Sequence, residues 1–196
     1  MVLNSQEVKR NMIEKIIIQA IGILAMAFNI WSYQQKKQTY VIGCQLFGSL
    51  LFSVHFFALG AYMGGLLNAI GIFRAVVFIF KDQFRSENIL WLIGFEAVYL
   101  ASYVLTFTLL KKEFNPLNAV VEILPIIGMT ATTIAFRSKS SKTTRSLGLI
   151  SSPSWLVYNI VSFSIGAICC EVLSLVSIAV GFFRLDKKEK EQQKQE

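Results

Sequence analysis

The chain has 196 residues, 54% of them hydrophobic and only 16% charged, with a formal net charge of +7. A soluble domain of this size carries about a quarter charged residues. Here the charges are bunched between long apolar runs, which excludes a soluble enzyme module and indicates a polytopic helical membrane protein. The basic excess is what membrane proteins gather on cytoplasmic loops, so no nucleic-acid partner is expected.

In chain order, residues 1–12 read as a polar tail. Lys9 and Arg10 ahead of an apolar run imitate a signal peptide, but the run is long, contains Gln19 and Asn29, and lacks a small-x-small cleavage site. It is read as a retained first helix over Ile13–Tyr33. A loop with Lys36 and Lys37 leads to a second helix over Val41–Leu59, a tight turn at Gly60, and a third helix over Tyr62–Phe80. The polar joint Lys81–Asn88 precedes a fourth helix that ends at Leu110. Asn115–Pro116 then favours a helix start, and a fifth helix follows over Leu117–Phe136. The loop Arg137–Arg145 holds Arg137, Lys139, Lys142 and Arg145. A sixth helix is predicted over Ser146–Ser164, interrupted near Pro153, with Gly166 marking the same tight turn as Gly60. The seventh helix reaches about Phe183, and 184–196 is a charged tail, expected as a frayed helix or disorder.

Seven crossings put the N-terminal tail and every second loop on one side. That side carries five basic residues and the other thirteen. The imbalance predicts an outside N-terminus and a cytoplasmic C-terminus.

Sliding the sequence by 106 positions brings thirteen residues onto identical ones, among them Gly22 on Gly128, Gly60 on Gly166 and Lys81 on Lys187. The overlay predicts an all-α membrane fold of two parallel three-helix repeats, 13–83 and 117–183. They are joined by a linker helix over 88–110 that has no counterpart.

An ionisable residue at the centre of a membrane helix costs at least about 2.5–3.5 kcal/mol on insertion scales, so those that remain mark candidate sites. Arg74 and Glu96 lie at similar depth and are expected to form a buried ion pair; alternatively, Arg74 meets a substrate or ion directly. Glu122 and Glu171, near helix ends, are candidate proton or cation sites, or carboxylates that reach headgroups. His55, the single histidine, is read as a hydrogen-bond partner of a neighbouring helix or as a titrating gate. Under the 106 overlay Asn68 pairs with Ser174 and Ser53 with Asn159, as a central small-molecule site would require. Their bland reading is hydrogen bonding between helices. Trp155 beside Pro153 stacks on a substrate or faces lipid. Cys44, Cys169 and Cys170 read as packing residues. With no Ser–His–Asp set, metal-ligand spacing or phosphate loop, neither enzyme activity, a metal nor a cofactor is expected.

The stretch Leu50-Leu-Phe-Ser-Val-His-Phe-Phe-Ala-Leu-Gly-Ala61, with Asn68, Arg74, Gln19, Gly22 and the Ser32-Tyr33…Lys36-Lys37 end of the first helix, resembles the YgjV family of bacterial inner membrane proteins. The resemblance implies a multi-pass protein of the cytoplasmic membrane. The 3+1+3 plan also resembles the superfamily of SWEET and PQ-loop carriers. In those, polar residues of the third and seventh helices line a site between the two bundles, which points here to Asn68 and Ser174. The function expected is alternating-access transport of a small polar metabolite; a homo-oligomer is left open. The alternative is a non-transporting scaffold whose basic loop Arg137–Arg145 meets anionic lipid or a partner.

Overall fold

Among the described residues eight helices follow one another along the chain, and there is no strand. The structure is a computed structural model that describes residues 5–32, 38–138 and 141–192, with side chains for 11–32, 40, 42–138, 143 and 146–180. The helices are α1 (Ser5–Ser32), α2 (Gln38–Ala58), α3 (Tyr62–Ile79), α4 (Lys81–Phe84), α5 (Ile89–Thr108), α6 (Pro116–Arg137), α7 (Ser141–Val161) and α8 (Ile165–Gln192).

The helix starts follow from local chemistry. Asn88 Oδ1 accepts from Leu90 N–H and opens α5, and Asn115 Oδ1 accepts from Asn118 N–H ahead of Pro116 at the head of α6. Helix ends differ from expectation in places, and α7 begins at Ser141, inside the predicted basic loop. The first helix begins at Ser5, inside the predicted polar tail, and the last runs to Gln192, so the tail takes the helical one of its two expected forms. Lys139 of the basic loop and the side chains of Lys142 and Arg145 lie outside the described residues.

Among the described residues, four helices are long and apolar enough to cross a membrane: Asn11–Ser32 within α1, α3, α5 and α6. Shorter apolar stretches, Ile42–Ala58 and Ile165–Val180, lie in α2 and α8 and reach the limits of the described side chains. The sequence reading expected seven spans. The shortfall at α7 has a local cause, since Ser151, Ser152 and Ser154 lower its hydropathy, and two of these face an internal cavity rather than lipid.

Helix packing closes a ring. α1 lies against α2 and α8, α2 against α3, α3 against α6, α6 against α7, and α7 against α8. α5 stands beside the ring, packed on α3 and α6. Large apolar side chains such as Ile23, Phe47, Phe73, Leu100 and Ile160 are exposed on the outside. Polar ones such as His55, Arg74, Glu122, Thr133 and Asn159 are buried inside. That distribution suits hydrocarbon as the solvent, where polar groups must find partners within the protein.

The α2–α3 and α7–α8 turns are built alike. In the first, Leu59, Gly60, Ala61 and Gly65 donate backbone N–H groups to His55, Phe57, Phe56 and Ala61. In the second, Ser162, Phe163, Ser164 and Ile168 donate to Tyr158, Ile160, Asn159 and Ser164. Every residue of one set lies 103 positions from its counterpart in the other. Gly60 (φ 72°) therefore corresponds to Phe163 (φ 53°), both in the left-handed region. The expected equivalence of Gly60 with Gly166 does not hold, because Gly166 sits within α8, past the turn.

Candidate functional site

A cavity of about 510 Å³ lies inside the ring and takes lining residues from α1, α2, α3, α6, α7 and α8. Ten of them come from the first three helices: Asn29, Gln45, Ser49, Phe52, Phe56, Leu67, Asn68, Gly71, Arg74 and Ala75. Each has a lining residue 103 positions later, such as Thr132 for Asn29, Ser152 for Ser49, Trp155 for Phe52, Asn159 for Phe56 and Glu171 for Asn68. At a spacing of 106, only five of the ten have one. Two independent observations, turn hydrogen bonds and cavity lining, thus agree on 103. The pairings of Asn68 with Ser174 and of Ser53 with Asn159 are corrected accordingly: Asn68 corresponds to Glu171, and Ser174 to Gly71.

Asn68, Asn159, Trp155, Ser174, Arg74 and Glu171 all face this space. Ser53 does not line it. Its hydroxyl donates to the Gly65 carbonyl at 3.0 Å and joins α2 to α3. Asn68 spends one donor on Gly64 O at 2.9 Å. The buried Oδ1 of Asn159 has no hydrogen-bond partner.

Arg74 and Glu96 form no ion pair. They approach the same stretch of α6 from different helices instead. From α3, Arg74 Nη1 donates to Met129 O and Thr133 Oγ1, both at 3.2 Å, and the guanidinium stands 4.9 Å from the Phe136 ring centroid. From α5, Glu96 Oε2 accepts from Thr130 Oγ1 at 2.7 Å. Arg74 Nε and Glu96 Oε1 are buried without partners. The guanidinium is long enough to cross to α6 and line the cavity, so depth along the helix was a poor guide to its neighbour.

Glu122 is fully buried and paired with Lys112, which is 26% exposed. It therefore reaches no headgroup, and neither of these residues lines the cavity. Glu171 of α8 does line it, with the Ser152 side chain within hydrogen-bonding reach.

The cavity is closed at the end that carries the two turns. His55 Nδ1 lies 2.7 Å from Ile18 O of α1, and Nε2 lies 2.7 Å from Ser164 Oγ. The carbonyl can only accept, so Nδ1 carries the proton, and in the neutral ring Nε2 accepts from the serine hydroxyl. Gln19 Nε2 donates to Phe163 O at 2.9 Å, while its Oε1 accepts from Ile165 N–H at 3.2 Å. Tyr158 Oη accepts from Gly64 N–H at 2.8 Å. The rings of Phe56, Trp155 and Tyr158 pack together beside these bonds. Gly22 and Gly166 let α1 and α8 touch, since a Cβ on Gly166 would run into the Gly22 backbone.

The model of the Imp-YgjV family, described as bacterial inner membrane protein, matches residues 16–189. The chain belongs to this family. The match reaches from within α1 to within α8, and it identifies an integral protein of the bacterial inner membrane. No curated protein and no solved structure matches this YgjV-family chain. Among the described residues, no group of three or more His, Cys, Asp or Glu side chains could hold a metal.

Sequence reasoning missed Asn29, Gln45, Ser49 and Ser152. A signal was present: Gln45, Ser49, Phe52 and Phe56 recur every three to four residues, one face of α2. Glu171, Ser174 and Ser177 form a similar stripe on α8.

Proposed function

We propose that this inner membrane protein is a carrier of a small polar solute. In this reading, two three-helix halves, α1–α3 and α6–α8, rock about the cavity between them, and α5 links them as the fourth of seven crossings. The observation that carries it is the cavity lining: ten positions of one half recur in the other at a single spacing of 103. Two halves that present the same face to a shared cavity can exchange which end is open by a rigid-body tilt, and this is how repeat-built transporters give alternating access. Six ring helices around polar groups without protein partners also match what a wet, solute-sized site in a bilayer needs.

The count of basic residues, five on one side and thirteen on the other, orients the N-terminus outside and the C-terminus in the cytoplasm. The closed end of the cavity then faces outside. In the loop of the scaffold alternative, the described Arg137 donates to Glu87 O and does not line the cavity.

The test is a thermal-shift screen of purified protein against sugars, nucleosides, vitamins, amino acids and organic acids, followed by uptake of any hit into proteoliposomes. A ligand at 100 times its dissociation constant stabilises the folded state by roughly 2.7 kcal/mol. Asn159→Ala is expected to abolish that shift and the uptake while leaving the melting temperature of the empty protein near wild type. A panel with no stabilising ligand overturns the carrier.

A further inference from the structure

Among the described residues, the cavity holds one basic and one acidic side chain, Arg74 and Glu171. These two charges break its internal correspondence. Glu171 stands where the other half has Asn68, and Arg74 where the other half has Ser177. The geometry points to a zwitterionic solute, with its anionic group at Arg74 and its protonated amine at Glu171 and Asn159. This deepens the carrier reading and rests on it.

Three observations carry the assignment. Arg74 is 7% exposed and spends Nη1 on Met129 O and Thr133 Oγ1, yet its buried Nε–H has no acceptor. A guanidinium held from one side with an N–H left over is preset for a carboxylate or phosphate oxygen. Asn159 is 1% exposed, and its Oδ1 is buried without a donor, so this position lacks a hydrogen-bond donor and not an acceptor. Glu171 lines the same cavity with Ser152 beside it, and it forms no ion pair with a described residue. An ammonium group supplies the donor that Asn159 Oδ1 lacks and a counter-charge for Glu171, and in hydrocarbon it would not enter without such a counter-charge.

The spacing admits a short molecule. Asn68 marks the level of Glu171 on α3, and Arg74 lies six residues further along, about 9 Å at the helical rise. The cavity of about 510 Å³ has room for an amino-acid-like molecule between these two levels. The amine end lies toward Asn159 and the closed turns, and the acid end toward the opposite mouth.

The experiment uses the full chain in lipid nanodiscs and a matched panel: 4-aminobutanoate, alanine, butanoate, butylamine, butanamide, glucose and uridine. The proposal expects a zwitterion to bind at least about 10-fold more tightly than butanoate, butylamine and butanamide, the scale of a charge-assisted hydrogen bond. In Glu171→Gln the preference over butanoate should vanish, and in Arg74→Gln the preference over butylamine should vanish. If glucose, uridine or a singly charged member binds as well as or better than either zwitterion, this assignment is wrong and the carrier stands. Binding by no member of this panel or of the wider screen removes both. The wild-type panel decides even where a variant does not fold.

Discussion

The Tyr158 hydroxyl caps Gly64. Its oxygen accepts from the Gly64 N–H at 2.8 Å, in the first turn of α3, where no intrahelical carbonyl is available. At the head of α8, Gln19 Oε1 accepts from Ile165 N–H at 3.2 Å. Each three-helix group thus caps the last helix of the other. In a bilayer, water is not at hand to satisfy these donors, so the caps hold the two groups together at one end. If the proposed carrier opens at that end, these caps must break.

Tyr158→Phe keeps the ring packing on Phe56 and Trp155 but leaves the Gly64 N–H without an acceptor. A loss of about 1–3 kcal/mol is expected, read as a lower melting temperature in detergent. Gln19→Leu should cost a similar amount through Ile165. If both variants melt with wild type, the caps do not hold the closed end.

Gly166→Ala places a methyl group against the backbone of Gly22. A backbone cannot swing aside, so α1 and α8 must part, at a cost of about 1–3 kcal/mol or more. Gly94→Ala in α5 meets nothing within 4 Å and should instead stabilise, by about 0.4–1 kcal/mol. Thermal melts of the pair check opposite signs for the same chemical change.

Lys112→Met strands the fully buried Glu122 as an uncompensated charge. The expected cost is about 3 kcal/mol, the low end for a buried pair because Lys112 is partly exposed. Lys112→Met with Glu122→Leu should recover most of it. A double-mutant cycle on melting free energies measures the coupling, and additivity would show that the pair contributes nothing.

Ser49 and Ser53 are one helical turn apart on α2 and have opposite roles. Ser49 lines the cavity, whereas Ser53 bonds to Gly65 O. Ser53→Ala should lower stability by about 0.6–2 kcal/mol and leave ligand affinity unchanged. Ser49→Ala should reduce affinity with little change in melting. Binding and melting of both variants would expose a wrong assignment of either residue.

The sequence by itself determined the lipid environment, the positions of the long helices and the Asn88 and Asn115–Pro116 starts. These are local properties: a helix in hydrocarbon satisfies its own backbone, so hydropathy and capping residues suffice to place it. Only the tertiary structure decided the register between the two groups of three helices. Spacings of 103 and 106 differ by three residues, close to one helical turn, so apolar positions fall on apolar positions either way. The hydrogen bonds of the two turns separate them. The same ambiguity hid which polar residues meet. Ser53 and Ser49, or Arg74 and its neighbours Thr133 and Glu96, cannot be sorted until the helices are packed, because a long side chain's partner depends on the helix it reaches and not on its own depth.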